Sequence, residues 1–255
     1  MNNEETIQPT ISGIVITYNE ERKISGCLES LFKFCNEVIV VDSGSTDDTT
    51  KICESFGAKV AYKKWNGFGE QKNYALSLVS NEWVISIDAD EIIPEDLADE
   101  IVNIIKSPLY DVYEVSRRSF AYGSVINFCG WSPDYVTRLF RKSLFSFTND
   151  KVHEKVDIQS SNLGRLNYKL LHFRNENLEQ AIKRMDMYST LWAEQKINKK
   201  KGGIFKALYK SIWTFFRIYI IKLGFLDGKP GLLIASTNAM GVFLKYAKLL
   251  LLQQK

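Results

Sequence analysis

A chain of 255 residues that is 45% hydrophobic and 25% charged has the make-up of an ordinary globular protein, with room for one sizeable domain and an extension. It carries no low-complexity tract and no internal repeat, which sets it apart from disordered and solenoid chains. The formal net charge of +3 conceals an asymmetry: residues 199–255 hold eleven Lys/Arg and one acid, Asp227, a net +10, which leaves −7 on the first 198 residues. Residues 1–9 begin Met1-Asn2-Asn3-Glu4-Glu5, polar and acidic; they predict a flexible N-terminus and no secretory signal. Cys27, Cys35, Cys53 and Cys129 form no pair at metal-ligand spacing, so free thiols in a reducing cytosol are expected.

Ile11 to Thr17 is a β-rich run that ends in Tyr18-Asn19-Glu20-Glu21, after which Ile24, Cys27, Leu28, Leu31 and Phe32 recur at helical spacing. Val38-Ile39-Val40-Val41 reads as a second strand and breaks at Asp42-Ser43-Gly44-Ser45, where Ser45 with Asp48 resembles a capping box. A helix to about Phe56, a short strand from Lys59 to Tyr62, and a helix opened by Gly67-Phe68-Gly69-Glu70-Gln71-Lys72-Asn73 follow. Trp83 to Ile87 is the fourth strand. Strands alternating with helices at these lengths predict an α/β fold with a parallel sheet covered on both faces.

The fourth strand runs into Asp88-Ala89-Asp90-Glu91. Carboxylates just past the carboxyl end of a buried parallel strand sit where ligands of open α/β sheets bind. Paired acids suit a hard divalent cation that also holds phosphates; the alternative is an acidic turn before the helix that Pro94-Glu95-Asp96 begins. Asn19/Glu20 and Asp42/Ser43 end the first and second strands in the same way, so all three clusters are expected on one side of the sheet. No Gly-x-Gly-x-x-Gly and no Gly-Lys-Ser/Thr loop is present, which disfavours dinucleotide and Walker-type phosphate cradles.

Past Pro94 a helix with Leu97, Ile101, Ile104 and Ile105 ends before Pro108. Strand-like stretches follow at Tyr113 to Ser116, Leu139 and Phe140, and Lys155 to Ile158. Among them lie Arg117, Arg118, Phe120, Tyr122, Trp131, Tyr135, Arg138 and Arg141, which suit a sugar-phosphate ligand or, equally simply, pack a core.

Ile16-Thr17-Tyr18-Asn19-Glu20, Val41-Asp42-Ser43-Gly44-Ser45-Thr46-Asp47 and Asp88-Ala89-Asp90, in this order and at these distances, resemble glycosyltransferase family 2, the inverting, nucleotide-sugar-dependent enzymes of GT-A fold. Further stretches extend the likeness over nearly the whole chain: Gly67-Phe68-Gly69 with Gln71-Lys72-Asn73, Gly130 to Tyr135 with Arg138-Leu139-Phe140-Arg141, Val152-His153-Glu154, and Gly224 to Gly231. Together they are similar to a subgroup of β-1,4-glucosyltransferases that add glucose to the inner core of bacterial lipopolysaccharide. The resemblance implies a GT-A domain over residues 10–198. It implies that Asn19, Glu20 and Asp42 meet the uridine, with Asp42 accepting from the base. Thr17, Tyr18, Gln71, Lys72, Ala89 and Arg138 complete the set that binds the UDP-sugar. Asp88 would hold the ribose or the metal's water shell, Asp90 would ligate Mg²⁺ or Mn²⁺ on the diphosphate, and His172 would be a further ligand. Asp134, after Pro133 where the family usually carries Glu, is the first candidate for the base that deprotonates the acceptor, and Glu154 the second. Rival readings are transfer to a polyprenyl phosphate, whose nucleophile needs no strong base, and a catalytically silent nucleotide-sugar binding or scaffold protein.

From Ile204 to Leu226, Phe205, Leu208, Ile212, Phe215, Phe216 and Tyr219 face away from Lys206, Lys210 and Arg217. A break is expected at Gly228-Lys229-Pro230-Gly231, and Leu232 to Leu252 is apolar but interrupted by Lys245 and Lys248, so no span is predicted. Residues 199–255 are therefore read as a basic amphipathic helical extension, peripheral on the anionic inner leaflet of the cytoplasmic membrane. A homodimer contact is the alternative. Nucleic acid is not expected as a partner, because the aromatic and leucine content is too continuous for a solvated arm.

Overall fold

The apolar runs become strands because each supplies side chains to both faces of a sheet. In the computed structural model, which describes residues 10–148, 155–158, 162–175 and 177–254, Ile11 and Val15 of β1 (Ile11–Thr17) face one apolar cluster while Ile14 and Ile16 face another. α1 (Ile24–Phe32) puts Ile24, Cys27, Leu28 and Leu31 into the first cluster at helical spacing. β2 (Glu37–Asp42) is buried throughout, and α2 (Thr49–Ser55), β3 (Lys59–Tyr62), α3 (Phe68–Leu78) and β4 (Trp83–Ser86) continue the alternation. Ala75 of α3 packs in the second cluster, on the other face.

A two-residue β5 (Glu91–Ile92) precedes α4 (Glu95–Lys106), which follows Pro94 and carries Glu95 and Asp96 in its first turn, where the helix dipole favours acids. β6 (Val112–Ala121), β7 (Ser124–Val125), β8 (Tyr135–Arg141) and β9 (Gly164–Asn175) complete the sheet. Its order is β3-β2-β1-β4-β8-β6-β9-β5, with β7 on β6. The parallel part runs from β3 to β4, and beyond it β8 pairs antiparallel with β4 and β6 antiparallel with β8. Thr17 lies beside Asp42 and Ile14 beside Ser86, so the chain leaves β1, β2 and β4 along one edge. Burying one Ile or Leu beneath that edge contributes about 1.5–3 kcal/mol; Ile14, Leu28, Val40 and Ile87 are all at most 1% exposed, so the edge rests on a firm floor.

The chain divides into two units, Met1–Arg117 with Tyr135–His172, and Arg118–Asp134 with Phe173–Lys255. In the second, α5 (Leu178–Lys196) is capped by Asn177, whose side chain accepts from Gln180 N. α6 (Ile204–Phe216) passes into a π-helical turn, Arg217–Ile221, and a 3₁₀ turn, Gly224–Asp227, before α7 (Gly228–Gln253). The basic extension read from residue 199 thus shares a unit with α5 and with residues 118–134. Lys248 of α7 donates to Asp186 Oδ1 at 2.6 Å and to Thr190 Oγ1 at 2.7 Å on α5. Gly202 lets the chain pass against α7, since a Cβ there would lie 2.2 Å from Leu250 N.

Three local expectations are corrected. Gly228 to Gly231 is the first turn of α7 rather than a break, because Pro230 falls where a helix leaves its N–H groups unpaired in any case. Ser45 does not cap α2: its hydroxyl donates to Asp42 instead, and Asp48 at the N-cap makes no side-chain cap. Lys155 to Ile158 contributes one isolated bridge, Phe147 with Val156, and no strand.

Candidate active site

Asn19 turns the chain after β1 with φ of 54°, a left-handed conformation that Asn tolerates. Its amide donates to Ser45 Oγ and its Oδ1 accepts from Thr46 N, both at 2.8 Å. Glu20 N donates to Thr49 Oγ1 at 2.8 Å, and Asp48 N donates to Glu21 Oε2 at 3.2 Å. The loops after β1 and β2 are therefore braced against each other, with the Tyr18 ring exposed at the rim. Asp42 is 4% exposed and largely taken up by its own loop: Oδ2 accepts from Gly44 N and Ser45 N at 2.7 and 2.8 Å, and Oδ1 from Ser45 Oγ at 2.5 Å. A carboxylate offers about four acceptor positions, so one remains for a ligand donor.

Gln71 and Lys72 are buried on the first turn of α3. Gln71 Nε2 donates to Ser43 Oγ at 2.7 Å and to Lys63 O at 2.9 Å, while Gln71 Oε1 and Thr17 Oγ1 are buried without a hydrogen-bond partner among the described residues. An orphaned buried acceptor costs about 1–3 kcal/mol, the kind of deficit that functional sites carry.

The acids after β4 form a charged cluster. Asp88, with a side chain 33% exposed, accepts from Lys72 Nζ at 3.0 Å and from Arg138 Nη2 at 2.5 Å. Arg138, pointing in from β8, also donates to Glu91 Oε1 at 2.6 Å, and Arg117 Nη1 lies 3.3 Å from the same oxygen. Glu91 Oε2 accepts from Asp88 N at 2.9 Å, which closes the turn. Burial pushes the Asp88 carboxyl up, but the Arg138 and Lys72 charges and their hydrogen bonds outweigh it and hold the group well below the usual carboxylate range. Glu91 is fully buried, and removing one partner of such a pair costs about 3–5 kcal/mol, so the acid turn is held rigidly.

Asp90 faces a different set. Its Oδ1 lies 3.6 Å from His172 Nε2 and its Oδ2 lies 3.9 Å from Lys23 Nζ. His172 is brought there by register, because Glu91 pairs with His172 in the β5–β9 ladder. Burial raises the Asp90 carboxyl, the hydrogen bond and charge of His172 together with Lys23 overcome that and the opposing charge of Asp88, and the group is held below its ordinary value. Among the described residues no cluster of three or more His, Cys, Asp or Glu could hold a metal. A carboxylate and an imidazole that face each other nevertheless fit an ion that takes its other ligands from a diphosphate and water, the usual arrangement for Mg²⁺ and its analogues.

The structure therefore gathers Asp88, Lys72 and Arg138 into one group, and Asp90 with His172 into another, in the first unit. Ala89, 6% exposed, is the small link between the two acids and packs into the first cluster. Asp134 belongs to the second unit; it is half-buried and is the last residue before β8. Glu154 and His153 lie outside the described residues. The sequence reading gave no role to Glu91 or Lys23, and took Arg117 only as one of the basic and aromatic residues that suit a sugar-phosphate ligand or pack a core, not as a partner of Glu91. Glu91 had a signal, since alternation along a strand turns it away from Asp90 and into the core; Lys23 had none.

A parallel β3-β2-β1-β4 half with acids at its carboxyl edge, continued by antiparallel strands, is the GT-A arrangement of glycosyltransferases. Residues 12–165 match Glycosyl transferase family 2, and the chain belongs to that family. It is 34% identical to an uncharacterised glycosyltransferase of Rickettsia felis, over 94% of this chain and 89% of that protein. It is 33% identical to the lipopolysaccharide core biosynthesis glycosyltransferase LpsC of Rhizobium meliloti, over 94% of this chain and 91% of LpsC. Among solved structures, S. aureus TarS 1–349 in complex with UDP-GlcNAc has the same fold, with a TM-score of 0.50 at 20% identity over 92% of this chain and 80% of that one.

Proposed function

We propose that this glycosyltransferase moves a hexose, in our reading glucose, from a UDP-sugar to a sugar hydroxyl of the lipopolysaccharide inner core, with inversion and with a divalent cation. The observation that carries the reading is the Asp90–His172 pair at the carboxyl edge of the sheet, beside an Asp88 already neutralised by Lys72 and Arg138. Asp90 and His172 would hold Mg²⁺ or Mn²⁺, and the mixed oxygen and nitrogen donors suit Mn²⁺ well. When bound, the ion would stabilise the negative charge that grows on the departing diphosphate. The last acceptor position of Asp42 and the orphaned Thr17 and Gln71 oxygens support a polar uridine pocket. In the transfer the acceptor oxygen bonds to the anomeric carbon, the bond from that carbon to the UDP oxygen breaks, and the acceptor proton passes to the Asp134 carboxylate. The similarity to LpsC supports the acceptor class. The core oligosaccharide of a strain lacking the protein is expected to be lighter by one hexose; a core of unchanged mass, measured by mass spectrometry, rules this acceptor out.

The protein is further proposed to work at the anionic inner face of the cytoplasmic membrane. No helix among the described residues is long and apolar enough to cross a membrane. On α6, however, Phe205 is 84% and Ile212 69% exposed, and Tyr209, Trp213 and Phe216 are exposed with them, alongside Lys206 and Lys210. Apolar burial in the headgroup region, with about 1 kcal/mol from each nearby cation, would hold such a face to anionic lipid. Sedimentation with phosphatidylglycerol vesicles is expected for the intact protein and not for a Phe205→Asp/Ile212→Asp variant. If neither binds vesicles but the variant alone elutes as a smaller species on gel filtration, the face is a dimer contact instead.

A further inference from the structure

Asp227 is the one acid of the basic extension, and it stands at the N-cap of α7, where an Asp ordinarily accepts from the amides of its own helix. Here it makes no such cap. Its Oδ1 accepts from Asn127 N and its Oδ2 from Phe128 N, each at 3.0 Å. The same stretch of chain holds the next residue too: Cys129, in a left-handed conformation with φ of 57°, donates its amide to Lys222 O at 3.0 Å. Trp131 N then donates to Phe128 O, and the Trp131 indole lies under the Arg174 guanidinium at 4.9 Å. Beneath the loop, Ile126 and Cys129 pack with Ile218, Ile234 and Ala235 of the extension. The approach is close, since a Cβ on Gly224 would meet the Cys129 sulfur at 2.9 Å and one on Gly231 would meet Gly224 O at 1.8 Å.

Three successive amides, 127 to 129, are thus fixed by the turn between α6 and α7, all within the second unit. Asp134 is five residues beyond Cys129 on the same loop. A carboxylate that accepts two backbone amides imposes both position and orientation on them, because both of its oxygens are engaged and the amides are charge-assisted donors. We infer that Asp227 is a positioning residue for the loop that carries Asp134, so that the C-terminal helices are a working part of the acceptor side of the enzyme. This rests on the reading of Asp134 as the base. A truncation before α6 would then abolish transfer even in detergent, without any role for a membrane.

The test compares full-length Asp227→Asn and Asp227→Ala with wild type. Misplacing a reacting group by about an ångström costs on the order of 100-fold in rate, so kcat for transfer to the core oligosaccharide is expected to fall roughly 10- to 100-fold. The KM for the UDP-sugar and the Kd for UDP with Mn²⁺ should stay within about twofold, since the donor residues lie in the other unit; an even loss of UDP binding and turnover would indicate general damage and overturn the proposal. Hydrogen exchange followed by mass spectrometry gives a readout that needs no acceptor. Peptides covering residues 126–131 should exchange faster in both variants, and in the wild type they should be protected like the hydrogen-bonded interior of α7 rather than like its unpaired first turn. Unprotected wild-type amides, or folded variants with unchanged exchange and kcat, overturn it. If Asp134→Asn keeps its turnover while the Asp227 variants lose theirs, it is the base assignment that fails and the anchoring stands.

Discussion

An Asp90→Asn enzyme is expected to turn over about 10²–10³-fold more slowly than wild type, and its affinity for UDP should no longer respond to Mn²⁺ or Mg²⁺. Asp88 is engaged by Lys72 and Arg138 at 3.0 and 2.5 Å, whereas Asp90 is held more loosely, with His172 Nε2 at 3.6 Å and Lys23 Nζ at 3.9 Å. On the proposed metal reading, removing its charge while keeping its shape would deprive the diphosphate of its counter-ion as negative charge accumulates there. Turnover measured across a metal titration decides the matter: a variant with wild-type rate, or with an unchanged metal response, takes Asp90 out of the ligand set. His172→Ala is the companion, expected to weaken metal affinity while leaving UDP binding in saturating Mn²⁺ intact.

The other large effect belongs to the acceptor side. Asp134→Asn should lower transfer by about 10²–10⁴-fold, the range of a missing general base, with KM for the donor unchanged. Asparagine keeps the shape of the half-buried side chain but cannot accept the acceptor proton. Near-normal turnover in this variant would favour a phosphate nucleophile, which needs no strong base, and with it a polyprenyl phosphate acceptor. Single-turnover kinetics with UDP-glucose separate that outcome from slow product release.

The parallel part of the sheet was legible because Ile11 to Thr17, Val38 to Val41 and Trp83 to Ile87 are short apolar runs ending in polar clusters, and βαβ connections leave little freedom in how such runs pair. The insertion of β8 between β4 and β6 was not legible. That pairing joins Ile85 to Leu139 across more than fifty residues, and β8 carries Arg138 inward, which breaks the apolar pattern a buried strand would show. The site follows the same division. Asp88, Asp90 and Lys72 stand out by position in a motif, and His172 by its family resemblance. Glu91 was hidden by adjacency, as the third acid of a run whose first two already explained it. Asp42 was read as a ligand of the base, but its loop claims three hydrogen bonds first, an allocation fixed by backbone geometry that the residue order does not reveal. Asp227 was hidden by its company: within a stretch that reads as a helix start, an Asp carries no sign that its partners lie about a hundred residues upstream.

That last span has a consequence for how the enzyme comes into being. The Asn127–Asp227 bond closes a loop of 100 residues, and the acids at the sheet edge are all in place before residue 173 has been made. Contacts so distant in sequence form late and slowly, and during synthesis the N-terminal part folds first. On the proposed reading, a nascent chain would therefore acquire its donor pocket early and remain without a set acceptor loop until nearly nine-tenths of it had been synthesised, so that the half-made enzyme would hold nucleotide sugar before it could use it.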